Sequence, residues 1–188
     1  MTKYILHGGE TSRPTSDNKQ FFIGITSDLN NKATILCVYF ARTKEKWPAM
    51  LEQDKINFSS ASRQKNLNVT MADDELNNFA EQIKQADVIY LRGGDTDTLK
   101  IILNKMKNLD ELWRGKIVAA SSAGVYVLSK YYYSNSKDNI GDGLGILPIK
   151  SICHYKEEKS DKLERLKKHG EDLPVYAIPE EKFFIVEK

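Results

Sequence analysis

Residues 116–129, KIVAASSAGVYVLS, constrain the fold more than any other part of the chain. A strand-like apolar run over 117–120 stops at four small residues, and a second apolar run starts at Val125. A strand that turns directly into a helix through small residues exposes one side chain over the end of a sheet. Ser122 stands at that tip, so the pattern predicts a nucleophile elbow in which the backbone N–H of Ala123 is open to an oxyanion.

The elbow pattern by itself leaves two interpretations open. The usual sequence is G-x-S-x-G, and Ala120 stands where the first glycine is expected. A small-residue turn that packs beneath a neighbouring element, with no chemistry of its own, fits the same letters. The choice between them therefore depends on the rest of the chain.

Strand-like and helix-like segments alternate along the chain, with no repeat and no linker between them. Strands are predicted at 3–6, 33–40, 67–71, 87–91 and 117–120, and helices at 45–55, 73–86, 96–106 and 122–130. This alternation predicts an α/β fold with a mostly parallel sheet and helices on both faces. A length of 188 residues suits one domain that spans 1–188.

The composition argues against several classes of function. The net charge of +2 arises from 28 basic and 26 acidic residues in mixed order, so nothing favours binding to nucleic acid or to a membrane surface. No apolar run approaches the ~20 residues of a membrane span. Two cysteines and three histidines argue against a structural metal site. We expect a reduced, cytoplasmic protein.

Three segments of small residues follow predicted strands, at 8–9, 93–95 and 121–124. Any one of them alone reads as an ordinary tight turn. In open α/β sheets, however, ligands bind beyond the carboxyl ends of the strands, and these three segments share that edge. The sequence therefore predicts the functional site there.

A serine hydroxyl needs a base to take its proton, and the chain offers three histidines. His154 follows a short extended run downstream of the elbow, where an α/β hydrolytic site would place its base. His169 lies at a charged helix end and suits the helix dipole, whereas His7 ends the first strand. A structural role for His154 fits these residues equally well.

The base in turn needs a carboxylate to fix its orientation, and Glu180, Glu181 and Asp142 are the candidates. Each of them also reads as a solvent-exposed acid in a turn. The glycine-rich turn at 92–95 offers a second N–H donor for the oxyanion, because glycine permits close approach of the backbone. Asp95 in that turn is expected to cap the helix that follows.

Four stretches resemble one known family in matching order: YLRGGDT at 90–96, ASSAG at 120–124, GLGILP with CHY at 143–155, and AIPE at 177–180. The family is the dipeptidase E (aspartyl dipeptidase) group of serine peptidases, which also contains the cyanophycinases. The resemblance covers nearly the whole chain. It implies a three-layer, flavodoxin-like α/β sandwich similar to class I glutamine amidotransferase domains, and amide hydrolysis through an acyl-enzyme.

Carried onto this chain, the resemblance implies that Ser122 is the nucleophile, His154 the general base and Glu180 the acid that orients His154. The backbone N–H groups of Gly94 and Ala123 would be the oxyanion donors. The resemblance implies no metal and no organic cofactor. The expected partner is a small peptide substrate, bound by a monomer or a homodimer.

Substrate contacts are expected from Gly93, Asp95 and Lys162. In the aspartyl dipeptidases a G-E-T-R-like stretch after the histidine supplies an arginine for the aspartyl carboxylate of the substrate, and Lys162 stands at that place here. A lysine pairs with a carboxylate without the bidentate fork of arginine. Specificity for N-terminal aspartate is therefore left open, with Arg165 as an alternative reader of the carboxylate.

Two other functions fit the sequence. A catalytically silent homologue that binds a small acidic metabolite or a partner protein is favoured by the lost arginine and by Ala120, whereas Ser122, His154 and a late acid favour hydrolysis. A glutaminase-like amidotransferase normally carries cysteine at the elbow. Cys153 does not supply that nucleophile, since adjacent residues of a strand point to opposite faces.

Overall fold

The computed structural model describes residues 1–62 and 65–188, in which strands and helices alternate. The strands are β1 (Lys3–His7), β2 (Lys32–Val38), β3 (Asn66–Met71), β4 (Val88–Leu91), β5 (Ile117–Ser121), β6 (Ser129–Ser134), β7 (Asn139–Asp142), β8 (Leu147–Cys153), β9 (Val175–Ile178) and β10 (Phe183–Glu187). The helices are α1 (Ser16–Thr26), α2 (Trp47–Ala61), α3 (Leu76–Gln85), α4 (Thr96–Leu103), α5 (Leu109–Leu112), α6 (Ala123–Leu128) and α7 (Ser160–Lys168). Short 3-10 turns, Lys44–Lys46 and Glu157–Lys159, precede α2 and α7.

The main sheet has six strands in the order β10-β1-β5-β4-β2-β3. Strands β1 to β5 pair in parallel, and β10 pairs antiparallel with β1 at one edge. The central strands β4 and β5 are buried along their whole length, as expected for unbroken apolar runs covered on both faces. The predicted α/β fold with a mostly parallel sheet is confirmed.

A second sheet of four strands, in the order β7-β6-β8-β9, is not predicted by the alternation. The helix predicted at 122–130 is too long, because α6 ends at Leu128 and Ser129 already begins β6. Three consecutive tyrosines, 131–133, favour the strand. The Ser129 hydroxyl lies 2.7 Å from the Ser151 hydroxyl, which ties the start of β6 to β8.

Helix α1 is also missing from the sequence prediction, since its polar start and its glycine weaken the helical pattern. Thr15 caps it by accepting a hydrogen bond from the backbone N–H of Asn18. Phe21, Phe22 and Ile25 anchor the helix in the core. The segment 8–15, hereafter the β1–α1 loop, is thereby held over the end of β1.

Large apolar and aromatic side chains pack around the main sheet, among them Trp113, Tyr4, Tyr39, Tyr90, Phe21, Phe58 and Phe79. A smaller cluster of Tyr133, Ile152 and Leu166 packs the second sheet against α7. Within the described ranges, no helix has both the length and the apolar character that crossing a bilayer requires. The carboxyl ends of β1, β4 and β5 meet at one edge of the main sheet, and β8 ends beside them.

Candidate active site

The turn after β5 has the backbone strain of a nucleophile elbow. Ser122 adopts φ 49° and ψ −109°, and its N–H donates to the carbonyl of His7 at 3.0 Å. A positive φ is costly for a residue with a side chain and persists where the surroundings enforce it. Gly124 lets α6 start against β4, since a Cβ there would lie 2.6 Å from the carbonyl oxygen of Leu91. The serine is thereby held at the carboxyl edge of the main sheet.

The structure brings the three predicted catalytic side chains together. Ser122 Oγ lies 3.0 Å from His154 Nε2, and His154 Nδ1 lies 3.0 Å from Glu180 Oε1. A carboxylate can only accept, so Nδ1 carries the proton and Nε2 is left to accept from the serine hydroxyl. That tautomer is the one in which the imidazole can act as a base towards Ser122.

His154 is fixed by its backbone as much as by its ring. It lies directly after β8 at φ 51°, and its N–H donates to the carbonyl of Gly8 at 2.9 Å. The Lys159 ammonium donates to the His154 carbonyl at 2.7 Å. A Cβ on Gly9 would lie 2.2 Å from Cε1 of His154, so this loop position requires glycine beside the imidazole.

Glu180 is the acid that contacts the histidine, among the three acids that the sequence offers. The Glu181 carboxylate points instead to Arg13, at 3.3 Å. Asp142 lies on β7, where it is exposed and accepts a hydrogen bond from Lys100 through its backbone carbonyl. The geometry thus favours Glu180 as the orienting acid.

Arg13 is a member of the site that sequence reasoning missed. Its Nη1 lies 2.8 Å from Glu180 Oε2, on the carboxylate oxygen that does not face His154. The hydrogen bond from His154, together with that from Arg13, lowers the pKa of the Glu180 carboxyl. The two residues are 167 positions apart in sequence, so no local pattern joins them. The one hint in the sequence is that Arg13 follows β1, a strand whose carboxyl end lies at the edge of the sheet where the site is predicted.

The loop after β4 lies beside the elbow. The N–H of Gly93 donates to the Ser121 hydroxyl at 3.1 Å, whereas the N–H groups of Gly94 and Ala123 have no acceptor among the described residues. A Cβ on Gly94 would lie 2.1 Å from the carbonyl oxygen of Ala41, so this position requires glycine. Two unpaired N–H groups beside a serine are what an oxyanion needs.

Two residues expected to contact substrate are engaged elsewhere. The Asp95 carboxylate caps α4 by accepting from both the N–H and the hydroxyl of Thr98, each at 2.8 Å, and these bonds lower its pKa. The Lys162 ammonium pairs with Asp138 at 2.7 Å and lies over the ring of Tyr133. Neither Asp95 nor Lys162 is among the residues that line the cavity. The geometry therefore gives no support to the expected contacts, although the expected helix cap is present.

A cavity of about 430 Å³ opens above Ser122 and His154. Its walls come from the β1–α1 loop, from the loops after β2 and β4, and from the turn between β6 and β7. Two arginines line it. Arg92 is nearly buried and pairs with Asp54 at 2.8 Å, while Arg42 is exposed and donates through Nε to the carbonyl of Gly93 at 2.9 Å. Neither arginine is among the residues that the sequence predicts to contact substrate.

His7 has a structural role beneath the site. Gly9 N–H donates to its Nδ1 at 3.0 Å, so Nδ1 is unprotonated and Nε2–H donates to Asn18 Oδ1 at 2.9 Å. Burial lowers the pKa of His7 to about 4, which keeps the ring neutral. The Asn18 amide in turn donates to the carbonyls of Glu10 and Arg13. This chain of hydrogen bonds shapes the β1–α1 loop.

Cys153 is unsuited to be a nucleophile. It is fully buried, its Sγ lies 3.8 Å from the carbonyl oxygen of Ser122, and burial raises the pKa of its thiol. Strand alternation is not the reason, because His154 lies outside β8 at a positive φ. The inaccessible thiol counts against a cysteine-based amidotransferase.

Glu10, His154 and Glu180 each bring one potential metal-ligand atom within 4.8 Å of the others. The Arg13 guanidinium already contacts two of these carboxylates, at 2.8 Å for Glu180 and 3.4 Å for Glu10. The charge that a metal ion would bring is thus supplied by a side chain of the protein. We therefore interpret the group as part of the charge network around His154.

Comparison with known proteins identifies the family. The model of peptidase family S51 matches residues 5–188, so the chain belongs to this family of serine-type peptidases. No curated protein sequence matches the chain.

Solved structures share the fold at low sequence identity. A peptidase from an acI-B1 Actinobacterium is 19% identical with a TM-score of 0.66, and the alignment covers 99% of this chain and 83% of that one. A peptidase E candidate from Listeria monocytogenes EGD-e is 19% identical with a TM-score of 0.67, covering 100% of this chain and 99% of the other. These similarities agree with the flavodoxin-like sandwich implied by the sequence.

Proposed function

We propose that this member of peptidase family S51 hydrolyses short peptides through an acyl-enzyme on Ser122. The observation that carries the proposal is the continuous line from Ser122 Oγ through the His154 ring to Glu180, with both contacts at 3.0 Å. In the first step Oγ attacks the peptide carbonyl carbon while its proton passes to Nε2 of His154. Glu180 stays ionised and stabilises the imidazolium that forms.

The negative charge on the attacked carbonyl oxygen is stabilised by the N–H groups of Gly94 and Ala123. Loss of one such donor typically costs about 10²- to 10³-fold in rate. His154 then gives its proton to the leaving amine, the C–N bond breaks, and the acyl group stays on Ser122. A water molecule, activated by His154, attacks the ester and releases the carboxylic acid.

The cavity also bears on substrate class. A volume of about 430 Å³ suits a short peptide better than a long chain. Arg92 is committed to Asp54, whereas no ion pair of Arg42 is found among the described residues. We assign the binding of an acidic side chain, as in Asp-X dipeptides, to Arg42 in place of Lys162, because a guanidinium that donates only Nε–H to the Gly93 carbonyl keeps both Nη groups for a carboxylate.

The proposal extends to the biological setting. The whole chain, 1–188, acts as one catalytic domain, as a monomer or homodimer, on free peptides in the cytoplasm. Both cysteines, Cys37 and Cys153, are unpaired and buried, in keeping with a reducing compartment. The chemistry assigned to Ser122 and His154 requires neither metal nor organic cofactor.

The test is a panel of Asp-X, Asn-X and β-aspartyl dipeptides, assayed with wild type, Ser122→Ala, Arg42→Gln and Lys162→Gln. We expect hydrolysis by wild type, none by Ser122→Ala, and a reduced Asp-to-Asn preference in Arg42→Gln alone. The ratio of the hydrolysis rates for Asp-X and Asn-X dipeptides separates binding of the carboxylate from any general effect on the loop that contains Gly93. An unchanged ratio in Arg42→Gln would remove Arg42 from specificity. Absence of hydrolysis across the panel would instead favour a silent homologue that binds an acidic metabolite or a partner.

A further inference from the structure

Three carboxylates of the site converge on one guanidinium. Arg13 Nη1 contacts Glu180 Oε2 at 2.8 Å and Glu181 Oε1 at 3.3 Å, and its Nη2 contacts Glu10 Oε2 at 3.4 Å. Without a cation between them, three carboxylates at this spacing would repel one another. Arg13 is therefore the group that allows them to lie together beside His154.

The contact to Glu180 is directional. Arg13 holds Oε2, and the other oxygen, Oε1, is the one that accepts from His154 Nδ1 at 3.0 Å. The Glu180 side chain is about a third exposed and lies outside the apolar core, so polar contacts contribute to holding it in place. The charge-assisted hydrogen bond from Arg13 Nη1 to Oε2 restricts the direction in which the Glu180 carboxylate faces.

Arg13 itself is held from beneath. Its carbonyl and that of Glu10 accept from the Asn18 amide at 2.9 and 2.8 Å, and Asn18 Oδ1 accepts from the buried His7 ring. The Arg13 N–H also donates to the Glu10 carbonyl at 3.2 Å. The guanidinium thus projects from a loop whose backbone is fixed by a buried polar chain, which is the arrangement that positioning of a catalytic group needs.

We propose that Arg13 is a positioning residue for the peptidase reaction, which holds Glu180 in the rotamer that orients His154 towards Ser122. This rests on the proposed function of those three residues. Arg13 makes no contact with substrate in this account and acts only through Glu180. Its hydrogen bond and its charge also help to lower the pKa of the Glu180 carboxyl, after the larger effect of the His154 hydrogen bond.

Other charged or titratable groups face the same pair. Glu10 and Glu181 approach it through Arg13, Lys159 binds the His154 carbonyl, and neutral His7 lies beneath the β1–α1 loop. An Arg13 variant replaces none of these residues, but it leaves the Glu10 and Glu181 carboxylates without their shared cation. A shift in pH dependence on replacing Arg13 therefore reports the loss of its charge from this carboxylate cluster.

The test uses an alkyl fluorophosphonate, so it does not depend on knowing the peptide substrate. In this reaction Ser122 Oγ bonds to phosphorus, fluoride leaves, and the hydroxyl proton passes to His154. The maximal rate kinact and the half-saturation constant KI are measured from pH 5 to pH 9 for wild type, Arg13→Gln and Arg13→Lys. Lys182→Gln is the matched control, since Lys182 pairs with Asp17 at 2.6 Å and not with Glu180.

We expect Arg13→Gln to lower kinact about 10-fold or more with KI nearly unchanged, because the base is misaligned. The acid limb of the profile should move up by about half a pH unit, because a nearby positive charge is lost. Arg13→Lys should keep the wild-type limb with an intermediate kinact, and Lys182→Gln should match wild type. In a Glu180→Gln background the Arg13→Gln effect should vanish.

An unchanged kinact in Arg13→Gln, a change in KI alone, or a loss of rate without movement of the acid limb would each overturn the proposal. If Arg13→Gln does not fold, Arg13→Lys carries the test, and additivity of its rate loss with that of Glu180→Gln is then the contradicting result. Failure of wild type to label at Ser122 would count against the proposed function itself and not against Arg13 alone.

Discussion

The proposed nucleophile and its proposed base–acid pair are held by two different parts of the molecule. Ser122 follows β5, a central strand of the main sheet that is buried on both faces. His154 and Glu180 follow β8 and β9 of the smaller sheet, with side chains 28% and 30% exposed. Apolar burial therefore fixes the serine, whereas hydrogen bonds and charges from the β1–α1 loop fix its partners.

This difference has a measurable consequence. Variants that disturb the polar contacts around His154 should lose activity with little loss of stability, because the groups involved are partly exposed. Variants at buried positions of the main sheet, such as those in β5, should lose both activity and stability.

The largest effect is expected from the acid. Glu180→Gln should lower kcat about 10³-fold, since the amide no longer stabilises the imidazolium or fixes its tautomer. Glu181→Gln is the matched control and should retain activity within about threefold, because its carboxylate contacts Arg13 and not His154. Both should unfold near the wild-type midpoint in urea. Equal activity of the two variants would remove Glu180 from the triad.

Gly9→Ala should cost about 100-fold in activity, because the new Cβ at φ 117° would lie 2.2 Å from the His154 ring and displace it. Gly115→Ala provides the control for strain alone, since it shares a positive φ of 75° and has nothing within 4 Å of the added atom. Peptide hydrolysis and urea unfolding are measured on both. Similar activity losses in the two variants would mean that backbone strain, not contact with His154, is responsible.

His7 should make stability depend on pH. Burial lowers the pKa of His7 to about 4 in the folded protein, whereas the pKa in the unfolded chain is about 6.5. The stability that the neutral His7 ring contributes is therefore complete above pH 6.5 and is lost as the pH falls towards 4. Between pH 7 and pH 5 it should remove about 2 kcal/mol from the free energy of unfolding. His7→Gln should lose this part of the pH dependence, whereas His169→Gln, at an exposed helix end, should keep it. The free energy of unfolding in urea is measured at several pH values for each protein. The same dependence on pH in wild type and in His7→Gln would contradict the assignment to His7.

The smallest effect is expected at the two residues that the cavity does not include. Asp95→Ala should cost about 1 kcal/mol of stability through the lost cap of α4, with kcat and KM within about threefold of wild type. Lys162→Ala should change neither stability nor KM appreciably, because it removes a solvent-accessible ion pair with Asp138 and a weak contact with the ring of Tyr133. A marked rise in KM in either variant would restore the substrate contact that the sequence resemblance implied.

The sequence predicts the main sheet well for a physical reason. Strands such as β4 and β5 are buried on both faces and therefore read as unbroken apolar runs. The helix after the elbow was predicted to reach residue 130, but it stops at Leu128, because tertiary pairing of β6 with β8 overrides helical continuation. The sequence pattern does not predict the second sheet as a whole, since β6 and β7 are partly polar and the apolar run of β8 is interrupted by a proline and a lysine.

The candidate site divides in the same way. Short contiguous motifs contain Ser122, His154 and Glu180, so these residues can be recognised from the sequence. The structure brings the three side chains within hydrogen-bond distance. Arg13 and Arg42 reach the site only through the tertiary arrangement of loops. The expected contact of Lys162 with substrate rests only on its place in a family motif. In the structure its ammonium pairs with Asp138 instead.

The proposed activation of Ser122 by His154 is tested most directly by finding where a fluorophosphonate becomes attached to the protein. Wild type, Ser122→Ala and His154→Ala are treated with the probe at pH 7.5, and the adducts are mapped by mass spectrometry of peptides. We expect one adduct on Ser122, absent from Ser122→Ala and formed far more slowly in His154→Ala. Undiminished labelling of Ser122→Ala, or labelling of Ser122 at the wild-type rate without His154, would contradict this expectation.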